Sequence, residues 1–325
     1  MMVHTKSTEQ EKVKMKRKCL IQKIFMTPEQ LAQYYMERRN EFAASGRPVR
    51  GVGFRRAIHP LLLKILAAAR KSRNQTYEVI RDRRTASDRP HIFACTHVGY
   101  DDVATLCEAI RDSAYIFLGD PKTLYKDPVG LILYLNGSVF VELQNKNDRH
   151  VSAELSKRIL KAGGNLLIFP EGVWNITESI PVLKLYWGAE KFAMETGADI
   201  IPVAIEQIGA HFVVNIGRNM EPEAFRGQPV GKMTECLRNE MSTLKWEIFE
   251  GRGLFNRAAV QPDEWKSHLR DIWGTNTNKV VTVEEIERGK FVDRRVTEAE
   301  QVFAHLKSLE PTAENAFVFQ KASVM

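Results

Sequence analysis

A histidine and an aspartate lie close together in the segment Thr-His-Val-Gly-Tyr-Asp-Asp, which covers residues 96–102. A histidine can remove the proton of an attacking hydroxyl group at neutral pH. A carboxylate that accepts the N–H of the other ring nitrogen fixes the tautomer and stabilises the imidazolium that forms. Gly99 permits a tight turn that returns a carboxylate to the ring. The spacing therefore predicts that His97 is a general base and that Asp102 orients it.

The same segment has a second interpretation, in which His97 is an ordinary turn residue and an aspartate caps the next helix. Asp101 is the better N-cap candidate, and it is also a second carboxylate beside Asp102. With 8 histidines and 40 acidic residues in the chain, one such spacing by chance is quite possible. The segment alone does not decide between the two interpretations.

Three further motifs accompany this segment. Phe-Pro-Glu-Gly (169–172) follows an apolar run, so that Glu171 is expected to place a carboxylate at a sheet edge and Gly172 to allow close backbone approach to a ligand. Gly-Ser-Val-Phe-Val (137–141) and Ile-Ile-Pro-Val-Ala (200–204) read as buried strands. Taken singly, each motif is compatible with an ordinary strand or strand exit.

Together, in this order, the four motifs resemble the sequence blocks of the glycerolipid acyltransferase family, of the bacterial lysophosphatidic acid (1-acyl-sn-glycerol-3-phosphate) acyltransferase type. The resemblance covers roughly residues 85–210. His97 and Asp102 match the catalytic pair of that family, and Pro202 matches the last block. The resemblance implies that acceptor-binding residues include Glu171, Gly172, Phe140 and Lys184.

The resemblance implies an enzyme that moves a fatty acyl group from acyl-CoA or acyl carrier protein to a hydroxyl of a lyso-glycerolipid or related lipid acceptor. His97 would take the hydroxyl proton, and Glu171 would bind acceptor hydroxyls. The backbone N–H groups of Gly172 and Val173 are candidates for stabilising the tetrahedral oxyanion. Neither a cofactor nor a metal ion is expected.

Several positions depart from the family pattern. Leu143 stands where the family has an arginine that binds the acceptor phosphate, and Val-Trp-Asn (173–175) replaces the usual Thr-Arg-Ser. Trp187 stands where lysine is frequent. Because guanidinium groups hold phosphate through bidentate bonds, these changes favour a second hypothesis, the same chemistry on a hydroxyl lipid without that phosphate, such as an ornithine-type lipid. A third hypothesis is a non-catalytic lipid-binding protein of membrane surfaces.

The elements that must position these residues alternate between strands and helices from about residue 76. Thr27, Pro28 and Gln30 form an N-cap signature that predicts a helix to about Ala44, and a second helix is predicted over Arg55–Lys71. The fold class is therefore α/β, with a mixed, largely parallel central sheet covered by helices and preceded by an N-terminal helical pair. The predicted strands are 77–81, 91–95, 114–118, 138–141, 166–169, 200–205 and 213–216. The predicted helices of the core are 102–111, 128–135, 152–162 and 189–195.

Four parts of the chain are expected. Residues 1–26 form a mobile basic leader, 27–75 the N-terminal helices, 76–227 the α/β acyltransferase core, and 228–325 a mostly helical extension that begins with Lys232–Glu250.

Composition restricts the partners. The net charge of +7 on 325 residues indicates either an anionic partner (nucleic acid, an anionic membrane surface or a phosphorylated substrate) or a solvated surface with a basic tail. Nucleic acid is not expected because no binding motif is recognisable, which leaves an anionic membrane surface as the expected macromolecular partner. The 4 cysteines form no Cys-x-x-Cys pair, so reduced thiols are the simplest interpretation. No run of about 18 apolar residues, the length that spans a bilayer, is present. We expect a cytoplasmic protein that associates peripherally with the inner face of the membrane.

Overall fold

The computed structural model describes residues 18, 20–46, 49, 51–99, 101–118, 128–141, 145–175, 180–252, 264 and 267–268. Its centre is one sheet of seven strands. They are β1 (Thr76–Asp82), β2 (His91–Cys95), β3 (Ala114–Leu118), β4 (Ser138–Phe140), β5 (Asn165–Ile168), β6 (Asp199–Ile208) and β7 (His211–Ile216).

The strand order across the sheet is β1-β7-β6-β2-β5-β3-β4. Every neighbouring pair is parallel except β6 and β7, which run antiparallel through the tight connection at Gly209 and Ala210. The predicted fold class, a mixed and largely parallel sheet, is confirmed.

In the described residues a short 3₁₀-helix (Pro222–Phe225) and eight α-helices accompany the sheet. The α-helices are α1 (Leu20–Ile24), α2 (Pro28–Ala44), α3 (Val52–Ser72), α4 (Asp102–Ile110), α5 (Pro128–Asn136), α6 (Lys146–Lys161), α7 (Gly188–Thr196) and α8 (Lys232–Glu250). The predicted start of α2 is confirmed, because the Thr27 side chain accepts from the Gln30 N–H at 3.3 Å and the Gln30 side chain accepts from the Thr27 N–H at 3.0 Å.

Alternation along the strands gives the sheet two buried faces. In β2, Phe93 and Cys95 join a core with side chains of α2, α3 and α4, whereas Ile92 and Ala94 join a second core with side chains of α6, α7 and α8. A sheet buried on both sides requires apolar residues at successive positions, which is why β2, β5 and β6 read as continuous apolar runs. The central strands are thus held rigidly from both faces.

Helix α6 begins earlier than the predicted residue 152. Asn145 caps it by accepting from the Asp148 N–H at 3.1 Å. Asp148 is fully buried in an ion pair with Arg39 of α2, with 2.7 Å between Arg39 Nη2 and Asp148 Oδ1. The prediction was wrong at this end because the first turn is polar and its burial depends on a partner more than a hundred residues away.

Leu61, Leu62, Ile65 and Leu66 form an apolar stripe on α3 that is divided between two environments. Leu62 and Leu66 are buried in the core, but Leu61 is 61% exposed and Ile65 is 42% exposed. Packing onto the core therefore accounts for only part of the stripe.

The division of the chain into four parts stays a prediction. Helix α1 falls at the end of the segment predicted to be a mobile leader, and α8, in the predicted extension, packs on β6 and β7. Nearly all of the extension beyond residue 252 lies outside the described residues. In the part of the chain that the structure describes, no helix has both the length and the apolar character needed to cross a bilayer.

Candidate active site

The first and third motifs meet because β2 and β5 are adjacent and parallel. Ala94 pairs with Ile168 near the ends of the two strands. Three residues beyond that pair lie His97 on one chain segment and Glu171 on the other. Both motifs therefore leave the sheet at its carboxyl edge, where α/β folds bind ligands.

The Asp102 carboxylate holds His97 in place. His97 Nδ1 lies 2.8 Å from Asp102 Oδ2, and the same oxygen accepts the N–H groups of Val98 at 2.8 Å and Gly99 at 3.1 Å. Asp102 is fully buried at the first position of α4, where the helix dipole favours a negative charge. The ring therefore has a fixed orientation, as the predicted base and orienting carboxylate require.

The neighbouring Asp101 faces away from this pair. It occupies the N-cap position of α4, but its side chain makes no capping bond. Its carboxylate accepts from Gln75 Nε2 at 2.7 Å and lies 3.2 Å from Arg73 Nη1. The two aspartates, which the sequence left ambiguous, thus have separate partners.

Two aromatic side chains border the His97 ring. Phe169 stacks on it with ring centroids 4.0 Å apart, and Trp174 meets it edge-on at 5.7 Å. The His97 side chain is 17% exposed, and no described residue hydrogen bonds to Nε2. Nε2 is therefore the ring nitrogen available to a substrate.

The main chain of His97 is bound on both sides by the segment after β5. Its N–H donates to Glu171 Oε1 at 3.3 Å, and its carbonyl accepts the Asn175 N–H at 2.8 Å. The Asn175 side chain continues to the Ile180 carbonyl at 2.9 Å. Sequence reasoning missed the part played by Asn175, although the parallel pairing of the two strands would place this segment beside His97.

Glu171, predicted to bind acceptor hydroxyls, has both carboxylate oxygens occupied by backbone groups. Oε1 accepts from His97, and Oε2 accepts the Leu183 N–H at 2.8 Å. The side chain is 3% exposed. Burial raises the pKa of Glu171, while the Leu183 N–H, the Lys245 charge and the His97 N–H oppose that rise.

Position 172 requires glycine because of its backbone conformation and because of the nearby Tyr186 ring. Its φ is +72°, and a Cβ there would lie 2.6 Å from the Tyr186 ring. Its N–H donates to the Phe169 carbonyl at 3.0 Å, and the expectation that this group stabilises an oxyanion stays a prediction. The Val173 N–H, which donates to no atom of the described residues, stays a candidate.

The other predicted acceptor-binding residues lie elsewhere or on the rim. Phe140 is 3% exposed in β4, and its ring packs on Tyr35 at 5.4 Å. Lys184 is exposed and directly follows Leu183. Leu143 lies outside the described residues. The structure thus brings Glu171 and Gly172 to His97, keeps Phe140 in the core, and leaves the role of Lys184 a prediction.

The thiols near the site are unsuited to nucleophilic catalysis. Cys95 and Cys107 are buried, and burial raises the pKa of Cys107 to about 12 and that of Cys95 well above its usual value. The nucleophile is a thiolate, which such a pKa disfavours at neutral pH. In the residues that the structure describes, no group of three or more His, Cys, Asp or Glu side chains has the arrangement to hold a metal ion.

Residues 75–206 match the family model described as Acyltransferase. Over these residues the chain is similar to the acyltransferase family. The match includes His97, Asp102 and Glu171, so the residues that meet at the carboxyl edge of the sheet all lie within the matched region.

Two known proteins are similar to parts of this chain. Human 1-acyl-sn-glycerol-3-phosphate acyltransferase beta is 27% identical over 137 residues, which cover 42% of this chain and 48% of the human protein. The chain thus spans about half the length of that relative. The crystal structure of the 1-acyl-sn-glycerophosphate (LPA) acyltransferase PlsC from Thermotoga maritima is similar with a TM-score of 0.48 and 18% identity, over 73% of this chain and 97% of that chain.

Proposed function

We propose that the matched region transfers a fatty acyl group from a thioester, acyl-CoA or acyl carrier protein, to a lipid hydroxyl. The observation that carries this proposal is the 2.8 Å approach of His97 Nδ1 to the buried Asp102 carboxylate, with no described residue hydrogen-bonded to Nε2. That arrangement fits a general base acting on a hydroxyl group.

In the proposed reaction, His97 Nε2 takes the proton as the hydroxyl oxygen attacks the thioester carbonyl. A new C–O bond forms, and the tetrahedral oxyanion is stabilised by backbone donors, for which the Val173 N–H is the candidate. The C–S bond then breaks, and the proton on Nε2 passes to the departing thiolate. The products are an oxygen ester and a free thiol, and His97 returns to its starting state.

The acceptor is the finer part of the proposal. A lyso-glycerolipid such as lysophosphatidic acid is the first candidate, because the human relative is named for a 1-acyl-glycerol-3-phosphate acceptor. A hydroxyl lipid without the phosphate is the second candidate, and the position of Trp174 favours it. Trp174 lies against His97 where the family resemblance leads one to expect an arginine, and an indole ring supplies no cation for a phosphate.

The test is an acceptor panel with the purified protein and a radiolabelled acyl-CoA. We expect acyl ester formation with lysophosphatidic acid, a lyso-ornithine lipid or both. The absence of transfer to every acceptor from both acyl-CoA and acyl carrier protein, in protein shown to be folded, would contradict the proposal. It would favour the non-catalytic lipid-binding alternative.

We further propose peripheral association with an anionic membrane surface through α3. Phe54, Leu61 and Ile65 recur at helical spacing and are 66%, 61% and 42% exposed, and Lys64 and Lys71 flank them. Exposed apolar residues bordered by lysines suit the interface of an anionic bilayer.

Co-sedimentation should show that the protein binds vesicles containing phosphatidylglycerol and that this binding weakens as the salt concentration rises. Equal binding to neutral vesicles, or none to either, would exclude this surface. A location at the inner, cytoplasmic face stays a prediction.

A further inference from the structure

The environment of Glu171 differs from that expected of a carboxylate that binds a substrate. A carboxylate that receives acceptor hydroxyls must offer at least one oxygen to the substrate. Both Glu171 oxygens instead accept backbone N–H groups, from His97 at 3.3 Å and from Leu183 at 2.8 Å. With the side chain only 3% exposed, a hydroxyl would reach it only by displacing one of these bonds.

The two N–H groups belong to separate loops. His97 lies after β2, and Leu183 lies in the connection between β5 and α7. The Tyr186 N–H donates to the Pro170 carbonyl at 2.8 Å and closes this connection on itself, and the Asn175 N–H donates to the His97 carbonyl at 2.8 Å and ties the connection to the His97 segment. The Glu171 carboxylate thus links the backbone of His97 to the backbone of Leu183 through two hydrogen bonds.

The position of the His97 ring depends on the main chain that carries it. Asp102 bonds to Nδ1 and Phe169 stacks on the ring, whereas Glu171 binds the backbone N–H of His97 itself. Small displacements of a general base weaken proton transfer strongly, because the reacting atoms must lie within hydrogen-bond reach. Loss of the Glu171 bond would therefore affect the reacting nitrogen without removing any substrate contact.

We infer that Glu171 is a positioning residue for His97, and that it acts on turnover rather than on acceptor binding. This inference rests on the proposed function, since it assigns Glu171 a role in that reaction. It replaces the expectation that Glu171 binds acceptor hydroxyls.

The test compares Glu171→Gln and Glu171→Ala with a matched control, Glu190→Gln. Glu190 is also buried and also accepts two backbone N–H groups, from Gly231 at 2.8 Å and Thr234 at 2.9 Å, and in addition the Thr234 hydroxyl at 2.6 Å. It connects α7 to the start of α8 and does not bond to His97. Glutamine keeps only one acceptor oxygen, so each glutamine variant loses at least one bond, and the control measures the general effect of such a loss on stability.

We expect kcat to fall about 10-fold in Glu171→Gln and further in Glu171→Ala, with the KM for the acceptor unchanged, because a misplaced general base loses part of its roughly 10²- to 10⁴-fold contribution. Glu190→Gln should keep wild-type kcat even if its Tm falls as much. A raised acceptor KM with unchanged kcat, or wild-type kcat in folded Glu171→Ala, would overturn the inference. So would an equal loss of kcat in Glu190→Gln.

A second readout separates this inference from the proposed function. In protein with ¹⁵N-labelled histidine rings, the Nδ1–H of His97 bonded to Asp102 gives a downfield proton signal, identified by its absence in His97→Gln. This signal should broaden or shift in both Glu171 variants and persist in Glu190→Gln, whether or not any acceptor is turned over. An unchanged signal in Glu171→Ala would overturn the inference. Absence of transfer in the wild type would overturn only the proposed function.

Discussion

Two chain segments meet at the carboxyl edge of the sheet and use their carboxylates differently. In the His97 segment (residues 97–102), Asp102 binds the imidazole ring and the two backbone N–H groups of its own turn. In the Glu171 segment (residues 169–175), Glu171 binds only backbone, including that of the other segment. The comparison distinguishes a carboxylate that bonds to the imidazole ring from one that bonds only to the backbone, although both are buried beside one histidine. Under the proposed function, the first orients the base directly and the second positions its main chain.

The strongest way to test this separation is Asp102→Asn. An asparagine can keep a backbone bond, but its NH₂ group would donate to Nδ1 and leave the proton on Nε2, the wrong tautomer for a base. We expect kcat to fall about 10³- to 10⁴-fold, the scale of losing an oriented base. The measurement is steady-state acyl transfer with the preferred acceptor.

The control is Asp101→Asn. Asp101 bonds to Gln75 and Arg73 and not to His97, so this variant should keep most of the transfer rate. Equal losses in both variants would remove the distinction between the two aspartates.

A smaller effect is expected from Gly172→Ala, which tests the scaffold. The substitution forces a side chain into a left-handed backbone and against the Tyr186 ring at 2.6 Å. We expect a loss of stability of about 1–3 kcal/mol from the strained backbone and the displaced neighbour, together with reduced transfer because Tyr186 must move. Thermal and denaturant unfolding measure the first effect.

Gly197→Ala is the matched control for Gly172→Ala. Gly197 has nearly the same φ, +74°, but a Cβ at this position would meet no other atom within 4 Å. Its stability loss therefore reports the backbone strain alone. A loss as large as that of Gly172→Ala would show that the Tyr186 contact contributes nothing.

The smallest predicted effect concerns the acceptor. Trp174→Arg should raise kcat/KM for a phosphate-bearing acceptor relative to a neutral one by about 10-fold or more, the scale of a hydrogen bond to a charged group. Trp246→Arg, on an exposed part of α8, adds the same charge at another place and should leave the ratio unchanged. An unchanged ratio in Trp174→Arg would indicate that Trp174 does not face the acceptor.

Much of the scaffold was predictable because its physical signals are local. A few consecutive residues are enough to recognise the apolar runs of β2, β5 and β6 and the Thr27 cap of α2. The first turn of α6 was missed because Asp148 is buried through Arg39, which the local sequence does not reveal.

The sequence indicated which residues meet at the candidate site but not which groups they bond to. The family resemblance selected His97, Asp102 and Glu171. It left Asp101 ambiguous, because the choice depends on Gln75 and Arg73 just before β1. It gave no sign that Glu171 binds the Leu183 N–H, because that group lies in a loop without periodicity and only the folded chain brings it within 2.8 Å.

The most direct test of the central claim is acyl transfer by His97→Ala. Circular dichroism should show that the purified variant is folded, although its unfolding temperature should fall because the buried Asp102 carboxylate loses its ring partner and Phe169 loses the ring stacked on it. We predict a fall in kcat of about 10³-fold or more, as for the loss of a general base and its oriented hydrogen bond. A folded His97→Ala variant that keeps wild-type turnover would contradict the assignment of His97 as the general base.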